Sequence, residues 1–559
     1  LSFESIDTAE SALAAAWQLQ RSGNFVAAFD RAQEALARWP DSQALQHVSI
    51  LALASCGSTQ AALSAYRASS LAESQDEDCL ALEARILKDL ALDWPAPDRS
   101  ELLVRAALAY ERVAQRAGAT LYPKQNAAAL WMMVGSVSRA EELARSVADA
   151  LRSASVPSNE EAAYWHWAML AEAALVLGDR GTLALSVTRA NGVWRQSLWA
   201  RSRTFAQMRR LSLWRTDCDP LVNAWYLPPV GFVLPPDVSS EFRGTLVPCA
   251  EGTVPAMVYG VGSSAAATHW QSLAIQGIQV HLIFAGASAD EGASIGSNRP
   301  AADRQASGRT DSYTWSSLLL EVGEEHEGAC AEAALGLSMG HAQAVQTPWI
   351  ALMRNDGHWS AHRCASGDYP SMSALSKQPY VGAARYAFLF ADAVGYSSLN
   401  AADTRRYWTR LLPETAGAAL RRHADTVLLR KTWGDAIHGV FRSARAAARA
   451  ALEMTADTAR LAEELALGRR LSFRVALHYG SADHGTDPIE QAPSYFGPQL
   501  TFAARIEPVT PPGGIFLTEP LAARLSLEGG EQFRCTYVGT TSLAKGYGRV
   551  RLLSLATAG

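Results

Sequence analysis

The sequence contains no Cys-x-x-Cys pair, no uninterrupted apolar run near the ~18 residues a membrane helix needs, and no strong charge of either sign. Each absence removes a class of function. The seven cysteines (Cys56, Cys79, Cys218, Cys249, Cys330, Cys364, Cys535) are scattered and odd in number. They read as small buried apolar residues in a reducing compartment, which excludes a zinc site and a disulfide frame and suggests a cytoplasmic protein. The most apolar helical stretch, 162–177, is interrupted by His166 and Glu172, so no membrane span is expected. With 50 basic and 55 acidic residues, the formal charge of −5 leaves no electrostatic footprint for nucleic acid or an anionic membrane, and neither is an expected partner. The sequence starts at Leu1 rather than Met, so a preceding targeting segment would not be seen in it. A chain of 559 residues is too long for one core and suggests roughly three or four domains.

Residues 1–220 are rich in Ala, Leu and Arg, with apolar residues at helical spacing, and predict an α-helical repeat solenoid. Gly23, Phe25, Ala28, Ala35, Leu36 and Pro40 occupy the small, aromatic and terminal-proline positions of a tetratricopeptide repeat. A step of 34 residues leads from Gly23 to Gly57, followed by Ala62 and Tyr66. Two looser units are expected to end helices at Gly135 and Gly178. The stretch 121–135, followed by YWHWAMLAEAALVLGD, resembles the helical region labelled a TRAFs-binding domain in bacterial proteins that also carry a cyclase domain. Such a solenoid implies an unidentified protein partner, while Trp165, Trp167, Trp194, Trp199 and Trp214 read as core packing.

Pro228, Pro229, Pro235 and Pro236 end the helical pattern. Residues 228–360 then predict a degenerate Rossmann-like α/β domain: a strand at 254–259, a glycine loop, a helix at 265–275, a strand at 279–284, a helix near 331–344 and a strand at 349–353. Gly260, Gly262 and Ala265 fit a loose Gly-x-Gly-x-x-Ala pattern. The second strand carries His281 and ends without an acid to hold a ribose, so a structural role is the simpler reading. The small, polar segment 286–312 and a linker at 361–380, including the Arg363–Gln378 joint, read as flexible.

From 381 to 559 the pattern is strand, helix, hairpin, long helix, strand, loop, helix and strands, which predicts a ferredoxin-like α+β sheet. An apolar run delivers Asp392 to a strand end, and Gly434-Asp435 makes a tight turn between two apolar segments. Either aspartate alone is also an ordinary turn residue. Two on adjacent elements suit two divalent cations against a triphosphate.

Six ordered blocks, FADAVGYSSLN, KTWGDAIHGVF, FRVALHYG, YFGPQLTFAARIEP, GGIFLTEPLAARL and LAKGYGRVRLLSL, resemble the catalytic domain of class III nucleotidyl cyclases. The resemblance implies that Asp392 and Asp435 bind two Mg²⁺ or Mn²⁺ ions per site. It also implies that Arg474 neutralises the terminal phosphates, Lys545 contacts the polyphosphate, and Arg505 stabilises charge on the α-phosphate. Lys431 matches the base-reading position. Adenine N1 accepts a hydrogen bond, which a lysine can donate, so ATP is the implied substrate and cyclic AMP the product. Ser494 falls at the second base-reading position, and its hydroxyl also tolerates guanine.

Thr501 stands where the family has a ribose-positioning asparagine, and Pro498 and Gln499 in the same loop are also departures. In such cyclases the metal carboxylates come from one subunit and Lys431, Ser494, Thr501 and Arg505 from the other, implying a head-to-tail homodimer. Two alternatives stand beside an adenylate cyclase regulated by helical repeats: a nucleotide-binding scaffold with impaired catalysis, and a guanylate cyclase.

Overall fold

Alanines packed where two helices meet give the first part of the chain its form. Ala12, Ala16, Ala28 and Ala32 are wholly inaccessible and let neighbouring helices approach closely. The structure is a computed structural model. It describes all residues except 1–7, 94–98, 194–197, 235–245, 251–252, 262–278, 284–325, 356–357, 365–383, 468–470, 530–531, 545–548 and 559. Contacts divide the chain into one unit of Leu1–Pro228 with Thr557–Gly559, and a second of Pro229–Ala556.

In the first unit, helices pair in sequence: Ala9–Arg21 with Phe25–Leu36, Gln43–Ser55 with Thr59–Ala68, Glu77–Asp93 with Arg99–Ala114, Leu121–Val134 with Val137–Ser153, and Glu160–Leu177 with Arg180–Gly192. Gly135 (φ +89°) and Gly178 (φ +71°) close their helices in the left-handed conformation, as expected for both positions. Cys56, Cys79 and Cys218 are buried thiols. The tryptophans are less uniform than a core reading implies. Trp167 packs against the core, whereas Trp165 and Trp214 are 39% and 43% exposed. The side chains of Trp194 and Trp199 lie outside the described residues.

The second unit holds two sheets. In the first, β1 (Val230–Val233), β2 (Leu246–Pro248), β3 (Met257–Val261), β4 (Gln279–Ile283), β5 (Trp349–Asn355) and β6 (His358–Cys364) are ordered β2-β6-β5-β1-β3-β4. The strands β5-β1-β3-β4 run parallel, and β6 and β2 are added antiparallel. The 265–275 helix, Gly262, Ala265 and the 286–312 segment lie outside the described residues. Arg363, assigned above to a flexible joint, is in strand β6, and residues 365–378 of that joint are not described.

The second sheet is built from β7 (Arg385–Val394), β8 (Val427–Trp433), β9 (Ala436–Phe441), β10 (Ser472–Ser481), β13 (Ile515–Thr518), β14 (Phe533–Ser542) and β15 (Arg549–Thr557), in the order β14-β15-β13-β10-β7-β9-β8. β11 (Asp483–Thr486) and β12 (Pro493–Phe496) form a separate hairpin. The order β10-β7-β9-β8, with helices after β7 and β9, is the ferredoxin-like arrangement of strand, helix, two strands, helix, strand. Phe388, Phe441, Phe473 and Phe516 are fully buried in this region. The Ala444–Glu464 helix is capped by Ser443, whose hydroxyl donates to Glu528 at 2.7 Å.

The two sheets share a core. Helix His326–Ala344 packs against both β1 and β3 and the Glu519–Leu527 helix. Gly336 and Gly340 sit at that crossing, where side chains would meet Ala523 and Ser526. Beside it, Arg551 donates to Glu519 at 2.9 Å, and Tyr259 is hydrogen-bonded to His341 at 2.9 Å.

Candidate active site

Asp392 lies on β7, directly opposite Arg474 on β10 in the antiparallel register. Neighbouring residues in such a pair face the same side, so the guanidinium meets the carboxylate, with Arg474 Nη2 donating to Asp392 Oδ2 at 2.9 Å. On the other side of β7, Asp392 pairs with Ala436, the first residue of β9. The preceding two-residue turn, Gly434-Asp435, has Gly434 at φ +64°, as a tight hairpin with glycine at its first central position requires. The Asp435 carbonyl accepts from Ala393 N at 3.3 Å, which ties the turn to the end of β7. Both aspartates therefore stand at one end of the sheet.

Two further groups join them that the sequence reading did not assign. Glu507 follows the Pro498–Ile506 helix and forms an ion pair with Arg474 Nε. Burial raises its pKa, Arg474 opposes that rise, and Asp392 and Asp435 add to it. Tyr407 is fully buried in a π-helical turn, its hydroxyl has no hydrogen-bond partner, and burial together with Asp435, Tyr396 and Asp392 pushes its pKa up. Glu507 sits in a Glu-Pro pair at a helix end, and that was its only local signal.

Asp392 and Glu507 thus share one guanidinium, and with Asp435 on the adjacent turn negative charge is left for a divalent cation to neutralise. Among the described residues no set of three His, Cys, Asp or Glu side chains converges on one point. Two aspartates, with oxygen from substrate and water, fit Mg²⁺ or Mn²⁺, and a thiolate or imidazole metal does not fit.

Arg474, expected to neutralise the terminal phosphates, is engaged by Asp392 and Glu507, where it orients these carboxylates. Lys545 lies outside the described residues.

The remaining expected residues lie on β8, on the β11–β12 hairpin and on the Pro498–Ile506 helix. Lys431 on edge strand β8 is ion-paired with Glu490, in the turn between β11 and β12, and Ser494 is on β12 in the same hairpin. The Thr501 hydroxyl donates to the Gly497 carbonyl at 3.3 Å. Arg505 Nε is buried without a hydrogen-bond partner. Gln499 has a structural task, accepting from His478 in the core at 2.7 Å, and Pro498 opens the helix, where its missing N–H costs nothing. Among the described residues, no hydrogen bond or ion pair joins this group to the aspartates within one chain.

Residues 383–556 match the family model described as the adenylate and guanylate cyclase catalytic domain. Residues 24–131 match the model described as Tetratricopeptide Repeats-Sensor. The chain therefore carries a class III cyclase catalytic domain behind tetratricopeptide-type repeats. Among solved structures, the adenylyl cyclase CyaB of P. aeruginosa is similar at 15% identity, covering 31% of this chain and 93% of that one, with a TM-score of 0.28. A guanylate cyclase domain of Catenaria anguillulae is similar at 18% identity, covering 31% and 96%, with a TM-score of 0.26. A curated kinase/receptor-type protein of Acanthamoeba polyphaga mimivirus is 38% identical over 65 residues, 12% of this chain, and the match spans 4% of that relative's length. No helix among the described residues is long and apolar enough to cross a membrane.

Proposed function

We propose that this protein is an adenylate cyclase that converts ATP to cyclic AMP and pyrophosphate at two equivalent sites of a head-to-tail homodimer, under control of its helical repeats. The supporting observation is the placement of Asp392 and Asp435 at one sheet end with Arg474 fixing Asp392. Two divalent cations held by these aspartates would activate the ribose 3′-hydroxyl and neutralise the triphosphate. The 3′-oxygen bonds to the α-phosphorus as the bond from that phosphorus to pyrophosphate breaks.

Arg474 and Glu507 hold the Asp392 carboxylate in one orientation. Lys545, in the segment between β14 and β15, serves the polyphosphate. From the partner subunit, Lys431 donates to adenine N1, and Glu490 with Ser494 accepts from the 6-amino group. Thr501 borders the ribose. Arg505, with its unpartnered Nε, faces the charge that develops on the α-phosphate.

The test is purified full-length protein with ATP or GTP and Mn²⁺, products resolved by chromatography. Cyclic AMP is expected from wild type and none from Asp392→Ala or Arg505→Ala. Mixing the two variants restores about a quarter of wild-type activity, because half of the dimers regain one intact site. Unchanged turnover in Asp392→Ala would refute the reading. A nucleotide-binding scaffold is the second reading, favoured by the Thr501 hydroxyl being engaged by its own helix; it predicts ATP binding without product. A guanylate cyclase is disfavoured by Lys431.

A further inference from the structure

The repeat unit gathers positive charge where water is scarce. Lys88, on the Glu77–Asp93 helix, donates to the neutral Asn126 Oδ1 at 2.8 Å and lies 5.9 Å from the Tyr110 ring centre. Among the described residues no carboxylate is in ion-pair contact with it, and burial lowers its pKa. One turn earlier Arg85 meets Asp89 at 3.8 Å. Arg203, from the Leu198–Ser212 helix, lies within Coulombic reach of Arg85, Asp89 and Tyr122.

The field there is positive. Burial raises the pKa of Tyr122, yet Lys88, Arg85, the hydrogen bond with Tyr110 and Arg203 together hold it below the ordinary phenol value. Tyr122 is 42% exposed and Arg203 is exposed, while loss of water is the largest influence on both. Groups open to solvent on one side and surrounded by protein on the others line a recess.

Its inner wall is incompletely satisfied. Gln125 is 2% exposed, and neither its amide nitrogen nor its oxygen makes a hydrogen bond of good geometry. Glu172 beside it accepts from Gln207 at 2.7 Å, and burial pushes its pKa up to about 7, so it offers only part of a negative charge near neutrality. A network serving the fold alone would pair a desolvated ammonium with a carboxylate and satisfy a buried amide. Here, among the described residues, Lys88 has no ion-paired carboxylate, and Gln125 has only a contact with Glu172 that falls short of good hydrogen-bond geometry.

We propose that this recess, lined by Arg85, Lys88, Tyr122, Gln125 and Arg203, binds a small solute through an oxyanion, either a phosphate or a carboxylate. Guanidinium forks, an ammonium, a phenol and an amide N–H are the donor set such a group takes. The assignment is independent of the cyclase reading.

The test is calorimetric titration of the full-length chain with inorganic phosphate and, separately, succinate. Saturable binding is expected in wild type, weakened at least tenfold by Arg203→Ala and by Lys88→Gln, and unchanged by Arg474→Ala in the catalytic domain. Circular dichroism checks that the helices persist, and exposed Arg203 can be removed without opening the core. Tighter phosphate binding identifies a phosphorylated solute, and tighter succinate binding a carboxylate. Absence of saturable binding, binding indifferent to both repeat variants, or a loss confined to Arg474→Ala would each overturn the proposal.

Discussion

A β-carbon on Gly336 would lie 2.6 Å from the carbonyl oxygen of Ala523, a separation that such atoms do not adopt. Gly336→Ala must therefore push the His326–Ala344 helix off the Glu519–Leu527 helix, because backbone cannot rotate away as a side chain can. Overpacking of this kind costs about 1–3 kcal/mol. At Gly340 the obstacle is the Ser526 hydroxyl at 2.3 Å, which can turn aside. Melting of the purified protein should show a drop of several degrees for Gly336→Ala and a smaller one for Gly340→Ala.

Thr501 spends its hydroxyl on Gly497 of its own helix. An asparagine there reaches further and carries a second donor. Thr501→Asn is expected to raise kcat by about tenfold or more with little change in KM, since a positioning contact acts mainly on the reacting geometry. Initial rates across ATP concentrations decide this.

Glu490 is ion-paired with Lys431, and in the proposed reading it accepts from the adenine amino group. Glu490→Ala leaves the lysine without its acceptor and should lower the ATP-to-GTP ratio of kcat/KM about tenfold, the worth of one hydrogen bond to a charged group. A ratio that survives this change but collapses in Ser494→Ala would move that role to Ser494.

Glu172 carries a proton in the folded state over a range where the unfolded chain has lost it. A raised carboxyl pKa contributes stability that declines as pH climbs from about 4.5 to about 7 and is flat above that range. The effect is at most about 3 kcal/mol. Wild type should melt lower at pH 8 than at pH 5, and Glu172→Gln should remove much of that difference.

The elements that were legible in the sequence are those encoded locally. The apolar run Ala387, Phe388, Leu389 and Phe390 marks β7, and Gly434-Asp435 marks a hairpin, so both aspartates could be placed on adjacent elements. Gly135 and Gly178 announced their helix ends because a left-handed cap has few alternatives to glycine. What was missed depends on contacts between distant residues. Arg474 is 82 positions from Asp392, and only the strand register shows that its guanidinium meets that carboxylate. Glu507, Tyr407 and Glu490 carry no local pattern that separates them from ordinary surface or core residues. The Leu-Gly-Leu-Ser-Met-Gly spacing at 335–340 shows a smooth helix face, but nothing near it names Ala523 as its counterpart.

The two aspartates are not mounted alike. Asp392 is on a strand flanked by β9 and β10, whereas Asp435 rides on a two-residue turn next to the edge strand β8, where the adjacent Trp433 is 90% exposed. On the proposed reading, a partner that shifted the exposed Trp433 margin would reach cation affinity through Asp435 and leave Asp392 in place, an effect readable before any nucleotide is turned over.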